Sequence, residues 1–547
     1  MTTLPEIRTH SSYSQLAVGS HDAVVAVYTG ADILTQQQAP YTDWEAAAAP
    51  FRQIDKEFGK SVVLVPAPSV GGGRLVLSPI DSVDDDTDDV RKVFDANQVY
   101  NLIDAVKSGV ARAIEAGARR PAVYLAPLPA SVNAVPDADY SRWIEVALLA
   151  GLKASYVTLV VREHRTATLG ADAVVENLHS IDLVVESHSD EELRNAVKRA
   201  TAIEGGRRLA LDMGYGDPER MTPYKCAETI QAAAASVPGL EFEVIKDLDM
   251  IKQDYPLLYH SARASFAGKI NILNIVMFFL FLVGKGVTYD TGGISLKIGG
   301  SMRGMSRDKL GACGVAGFAV ATGLMQETAV DLSCVLAFER NSIGPNSLLP
   351  DEIVYSRAGV RVLINDTDAE GRLVMTDPVA ECCERILAAR VAGSKIPAAI
   401  YTVATLTGHV IRAYGWYGAT VANGPARRGK YDQRLAVSGL AYGDPFENSI
   451  MRREDHAFVR GRTDREDVYQ SNSLPSTLTD RGHQYPAAFI IKASGLDKHS
   501  VGAGASAAIP FVHVDIAGSA EDGSEPGLGL CGITGSPVAT FAGAFWS

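Results

Sequence analysis

Six cysteines in 547 residues, none in a CxxC pair and none at zinc-finger spacing, provide neither a disulfide framework nor a cysteine-held metal site. They are Cys226, Cys313, Cys334, Cys382, Cys383 and Cys531, and the simplest expectation is reduced, buried thiols in a cytoplasmic protein. The N-terminus, MTTLPEIRTHSSYSQL, has no basic region followed by an apolar segment, so no signal peptide is read there. Basic residues are scarce: 51 Lys and Arg against 64 Asp and Glu leave a net charge of −13, which argues against a nucleic-acid or anionic-membrane partner. The continuous apolar run 275–283, IVMFFLFLV, is shorter than the roughly 20 residues of a membrane-spanning helix. It reads as a strand buried on both faces of a sheet.

Several motifs are missing as well. There is no HExxH metalloprotease helix and no GxSxG nucleophile elbow. Gly-Lys-Gly at 284–286 lacks the spacing of a phosphate-binding loop. GLGLCG at 527–532 matches GxGxxG, but too little chain follows to build a dinucleotide site. The acidic run DSVDDDTDDV at 81–90 lacks the Gly and terminal Glu of a calcium loop, and reads as a solvated connection into a following helix.

What is present is a globular composition, 47% hydrophobic and 21% charged, on a chain too long for one core. In residues 1–204, β-branched runs bounded by Gly, Pro or Asp predict strands at 22–30, 60–67, 73–80, 121–127, 155–163 and 181–187. Apolar residues at three- and four-residue spacing predict helices over 90–117 and 140–154. A helix over 190–203 and the Gly- and Pro-rich stretch 214–225 lead to a second domain, with Pro223 opening a helix that runs to 237. Within 205–547, strands are expected at 242–245, 275–288, 329–339, 361–366, 398–408 and 511–518. Helices are expected at 311–325, 377–391 and 485–496. Both domains are thus of the α/β class.

The chemistry concentrates in two stretches, VGKGVTYDTGGISLKIGGSMRGMSRD at 283–308 and NDTDAEGR at 365–372. They bring Lys285, Asp290, Lys297, Asp308, Asp368, Glu370 and Arg372 within about ninety residues of chain. Carboxylates without Cys or His suit hard, oxygen-preferring cations or a zinc pair. Asp368, Glu370 and Arg372 alternate, so an extended segment would face all three to one cavity, Gly371 permitting an unusual backbone path. Lys285 and Asp290 are five apart and would face opposite sides of a regular strand. They converge only if the backbone bends, and Gly284, Gly286, Gly292 and Gly293 are permissive positions for that. A lysine that ligates a metal must first lose its proton. The bland alternative is a surface ion pair of Arg372 with Asp368 or Glu370. His483 and His513 read as structural hydrogen-bonding residues.

These motifs, with GDPERMTP (216–223), YPLLYHSARAS (255–265), VATLTG (403–408) and VDIAG (514–518), resemble the leucyl aminopeptidase family M17 over roughly 205–547. The resemblance implies a smaller N-terminal α/β domain (1–204) and a larger α/β/α catalytic domain (205–547) with a mixed central sheet. It implies a metallo-aminopeptidase in the cytoplasm that removes leucine-like N-terminal residues from peptides as a homohexamer. Matched residue by residue, Lys285, Asp290, Asp308, Asp368 and Glu370 would hold two divalent ions, zinc or manganese, or else magnesium or cobalt. Asp290 and Glu370 would bridge them. Lys297 would polarise the carbonyl, and Arg372 would hold a bicarbonate that takes the proton of the attacking water. Met305, Thr405 and Gly408 would line the pocket for the first side chain. The chain departs from the family at Thr291 (often Ser), Asp366 (Asn), Lys309 and 267–282. Those departures support a competing reading, a catalytically impaired scaffold.

Overall fold

The computed structural model describes residues 4–17, 19–29, 40–56, 58–80, 99–128, 139–170, 175–235, 237–265, 271–276, 280–326, 330–472, 474, 478–504, 507–521 and 532–546. The acidic run 81–90, the start of the helix expected from 90, and most of GLGLCG lie outside them. The chain divides into two compact units, residues 2–204 with 440–443, and residues 205–439 with 444–547.

The first unit is built on β1 (Glu6–His10), β2 (Ala23–Thr29), β3 (Val63–Pro66), β4 (Arg74–Ile80), β5 (Pro121–Leu125) and β6 (Ser180–Val185). They form one sheet in the order β1-β6-β5-β2-β4-β3, parallel except for β3 against β4. The runs of Val, Ala and Leu in β2 and β5 are buried along nearly their whole length, as strands covered on both faces must be. Residues 155–163 correct the sequence reading. They are not a strand but the end of one helix, Trp143–Ser155, and the start of another, Leu159–Leu169. Their β-branched residues match a strand only where a half-buried pleat receives them. Val160 and Val161 are instead 39% and 41% exposed, next to the charged REHR that continues the helix.

The second unit contains β7 (Phe242–Ile245), β8 (Asn271–Val276), β9 (Leu280–Asp290), β10 (Leu332–Asn341), β11 (Ile353–Tyr355), β12 (Arg361–Leu363), β13 (Ala399–Ala404), β14 (Gly418–Ala422), β15 (Phe446–Ile450), β16 (Val468–Tyr469) and β17 (Phe511–Asp515). Eight of them form a mixed sheet in the order β15-β14-β17-β13-β9-β10-β8-β7. Its centre, β17-β13-β9-β10, is parallel, and antiparallel pairs flank it on either side. The apolar stretch expected as one strand over 275–288 is divided between β8 and β9. These strands run in opposite senses beside β10.

Helices cover both faces of this sheet. A Cβ on Gly284 would touch Ala312 of the Leu310–Met325 helix. The next residue, Lys285, passes Gly371 of the Glu370–Val391 helix. Neighbours along a strand point to opposite faces, so the two helices sandwich β9. The described cysteines are buried and unpaired. No single described helix is long and apolar enough to cross a membrane.

Candidate active site

The site begins with an irregularity in β9. Val287 pairs with Glu339 and Asp290 with Asn341, so β9 takes three residues where β10 takes two. Such a bulge inverts the side-chain alternation beyond it. Lys285 and Asp290 therefore point to the same side although they are five apart. The bend falls at 288–290, while Gly284 and Gly286 pair as ordinary strand residues. Asn341, at the end of β10, fixes the result. Its Nδ2 donates to Asp290 Oδ1 (2.8 Å) and to Thr367 O (3.1 Å).

After β9 the backbone turns through Gly292 and Gly293, both at positive φ, and returns Lys297 to the site. Thr367 ties this loop to the downstream motif. Its Oγ1 donates to Gly292 O (2.7 Å) and accepts from Ser295 N–H (2.8 Å). A 3-10 turn, Met305–Arg307, delivers Asp308 just ahead of the Leu310–Met325 helix.

The downstream motif is not extended as its alternation suggested. Glu370 and Arg372 lie in the first turn of a helix, and Asp368 precedes it. The three diverge as helical geometry requires, and each finds a different partner. Gly371 is present for close approach, because a Cβ there would come within 2.6 Å of Lys285 Cε and 2.7 Å of its Nζ.

Two lysines, each clasped by two carboxylates, result from this folding. Lys285 Nζ lies 2.7 Å from Asp308 Oδ2 and 2.8 Å from Glu370 Oε1. Lys297 Nζ lies 2.8 Å from Asp290 Oδ2 and 2.5 Å from Asp368 Oδ1. Burial lowers the affinity of both lysines for protons, but the surrounding carboxylates outweigh it and hold each above its ordinary value. Burial and mutual repulsion push the acids the other way. Asp308 and Glu370 are raised, and Asp368 is pushed up to about 7. Burial lowers Arg372 to about 10, and its Nη1 donates to Gln470 O (2.9 Å).

The donor set fits divalent cations. One oxygen from each of Asp290, Asp308 and Glu370 lies within 4.8 Å of the others, the single such group among the described residues. Glu370 Oε2 is buried without a hydrogen-bond donor. Asp308 Oδ2 and Asp368 Oδ1 are within ion-pair distance of the lysines but outside hydrogen-bond geometry. Glu370 Oε2 is available to a cation as it stands, and the other two become so when a cation displaces the lysine ammonium groups.

The candidate metal, catalytic and pocket residues read from sequence, including Met305, Thr405 and Gly408, border one cavity of about 490 Å³. Thr405 Oγ1 donates to Asp308 Oδ1 at 2.9 Å. Supporting residues that sequence reasoning missed are Asn341, Gln470 and Asp515. Gln470 Oε1 accepts from the N–H groups of Asn365 and Asp366, and its Nε2 donates to Asp366 O and Ala369 O. Asp515 accepts from Leu406 N–H and Thr407 Oγ1. Asp515 lies in the VDIAG motif at 514–518, though without an assigned role, and nothing local hinted at Asn341 or Gln470. Lys309, expected beside a ligand, turns away, donating to Gly216 O (3.2 Å) and Ser306 O. His483 and His513 bond to Ser449 and Thr402, and burial lowers them to about 4 and about 3, so both are neutral structural residues.

Residues 208–542 match the model of the cytosol aminopeptidase family catalytic domain, Peptidase M17. The chain belongs to this family. A Caenorhabditis elegans protein bearing an aminopeptidase name is 36% identical over 472 residues, 84% of each chain. A Xanthomonas campestris sequence named as a cytosol aminopeptidase is 28% identical over 460 residues, 80% of this chain and 82% of that one. Among solved structures, leucyl aminopeptidase from Trypanosoma brucei in complex with bestatin superposes with a TM-score of 0.72 at 19% identity, covering 99% of this chain and 96% of that one. The bottromycin maturation enzyme BotP in complex with Mn gives 0.72 at 20% identity, covering 96% and 98%. These two likenesses establish the two-domain fold of the M17 peptidases, and family membership makes the chain a peptide-bond hydrolase.

Proposed function

We propose that this M17 member is an aminopeptidase that releases leucine-like N-terminal residues from peptides with two divalent cations. Asp290, Asp308, Asp368 and Glu370 would hold them, Asp290 and Glu370 serving both, and Lys285 would join them on giving up to the incoming cations the proton that its carboxylate neighbours hold on it. Zinc or manganese suits the set, with magnesium or cobalt as alternatives. The observation that carries this reading is the convergence of three buried carboxylates within 4.8 Å, with Glu370 Oε2 undonated. Bound there, the cations would supply Lewis acidity toward a substrate's terminal amine and carbonyl and lower the pKa of a water between them.

The protein's own groups do the rest. Lys297, 15% exposed at the cavity wall, donates to the substrate carbonyl oxygen and stabilises the charge that develops on it. Arg372 commits one nitrogen to Gln470 and keeps the remainder of its fork for a small anion such as bicarbonate, which serves as proton acceptor. Met305, Thr405 and Gly408 receive the first side chain. The resemblance further supports a homohexamer working in the cytoplasm. The scaffold reading is not favoured, since Lys309, one of its supports, bonds away from the cavity.

Hydrolysis of a leucyl arylamide with Mn²⁺ or Zn²⁺, before and after chelation, tests the proposal. Turnover should vanish on chelation and return on adding metal, with two ions bound per chain. Two ions bound without turnover would favour the scaffold, and turnover surviving complete metal removal would overturn the mechanism.

A further inference from the structure

Two bonded groups of residues stand out in the cavity lining. One follows Asp308: Thr405 bonds to it, Met305 and Arg307 share its turn, and Arg307 reaches Glu521. The other follows Arg372 through Gln470 to Ser471 and Asn472. The first group holds Met305 and Thr405, which the proposed function assigns to the substrate's leading side chain. It also holds a charge that a purely apolar pocket would lack.

That charge is Glu521. Arg307 Nη1 donates to Glu521 Oε2 at 2.6 Å, and both residues border the cavity. The partners are unequally covered, the Arg307 side chain being 6% exposed and that of Glu521 28%. The carboxylate is therefore the more accessible member of the pair. A lysine or arginine side chain combines an apolar stem with a charged tip. Met305 and Glu521 border the same cavity, the first offering contact to such a stem and the second a partner to such a tip.

Resting on the aminopeptidase reading, we infer that Glu521 admits long basic N-terminal residues, lysine and arginine, as a second substrate class beside leucine. Arg307 leaves the pair without net charge, so what the pair offers a basic tip is an accessible acceptor and not a lone anion. It fixes the carboxylate in position, and a site built to bond a polar group discriminates by more than its net charge.

The test compares kcat/KM for lysyl, arginyl and leucyl arylamides in the metal-loaded wild type, Glu521→Gln and Glu521→Asp, with Tm recorded for each. Glu521→Gln keeps the shape and removes the charge, and should lower the basic-to-leucyl ratio about tenfold. Glu521→Asp keeps the charge and should retain most of the ratio. A residue that merely staples the wall would change all three substrates together and leave the ratio unmoved, which would overturn the inference while the aminopeptidase reading stands. Wild-type cleavage of both basic substrates at under about a hundredth of the leucyl rate would also overturn it. Absence of turnover on every substrate would overturn the proposed function, and this inference with it.

Discussion

Gly371→Ala is the substitution in which steric and catalytic effects are most clearly separable. The new methyl would lie 2.5 Å from Leu406 Cδ1, 2.6 Å from Lys285 Cε and 2.7 Å from Lys285 Nζ. Ordinary carbon contacts are about 3.5–4.0 Å, so something must move by about 1 Å. Lys285 has little room to retreat, because it is 3% exposed and its Nζ is held by Asp308, Glu370 and the Thr405 carbonyl. Alanine in a helix gains up to about 1 kcal/mol over glycine, whereas overpacking costs about 1–3 kcal/mol. The net loss is then about 0–3 kcal/mol, a fall in Tm of about ten degrees at most. Activity should suffer far more, since a 1 Å misplacement of site groups can cost about 100-fold in rate. Thermal denaturation, metal content per chain and leucyl-arylamide kinetics measured on one preparation separate the two effects. A folded variant with wild-type kcat and full metal content would refute the close-packing argument.

Lys297→Ala should fold and bind metal yet lose about 10²–10³-fold in kcat, because it removes the donor proposed for the developing oxyanion. Steady-state kinetics beside metal analysis checks this, and an unchanged kcat would remove Lys297 from its role. Lys309→Met should keep activity and metal content, since the side chain bonds to Gly216 and Ser306 carbonyls and not to the cavity. Its stability should fall by no more than about 6 kcal/mol, about 1–3 kcal/mol for each of the two carbonyls left unpaired. A changed metal affinity would show that its charge is felt at Asp308 after all.

The fold class was legible from the alternation of strands and helices, and the gathering of the candidate residues around one cavity was legible because the two motifs concentrate carboxylates and cations in a short span. The conformation of DTDAEGR was not. Alternation suggested an extended segment, whereas Glu370 opens a helix, and the convergence comes from Lys285 reaching across Gly371. The bend between Lys285 and Asp290 was foreseen in principle but misplaced. Glycines advertise flexibility locally, whereas a bulge depends on the pairing of β9 with β10, which no single strand encodes. The helix at 159–169 was missed for a related reason, since strand preference expresses the surface that receives a side chain. Gln470 is about a hundred residues from the loop it braces, and no local pattern reveals such a partner.

The surplus residue in β9 also makes the reading frame of the strand a functional property. Shortening 288–290 by one position would leave Asp290 opposite Asn341 and four residues after Lys285, a spacing that on a regular strand keeps both side chains on one side. A slip in pairing that ran 288–290 in regular alternation without losing a residue would instead turn Asp290 to the opposite side of the sheet, away from Glu370. Such a slip is a catalytic lesion in a chain whose sheet is otherwise intact. A lineage in which the bulge moved along the strand would keep the architecture of a peptidase while losing its chemistry.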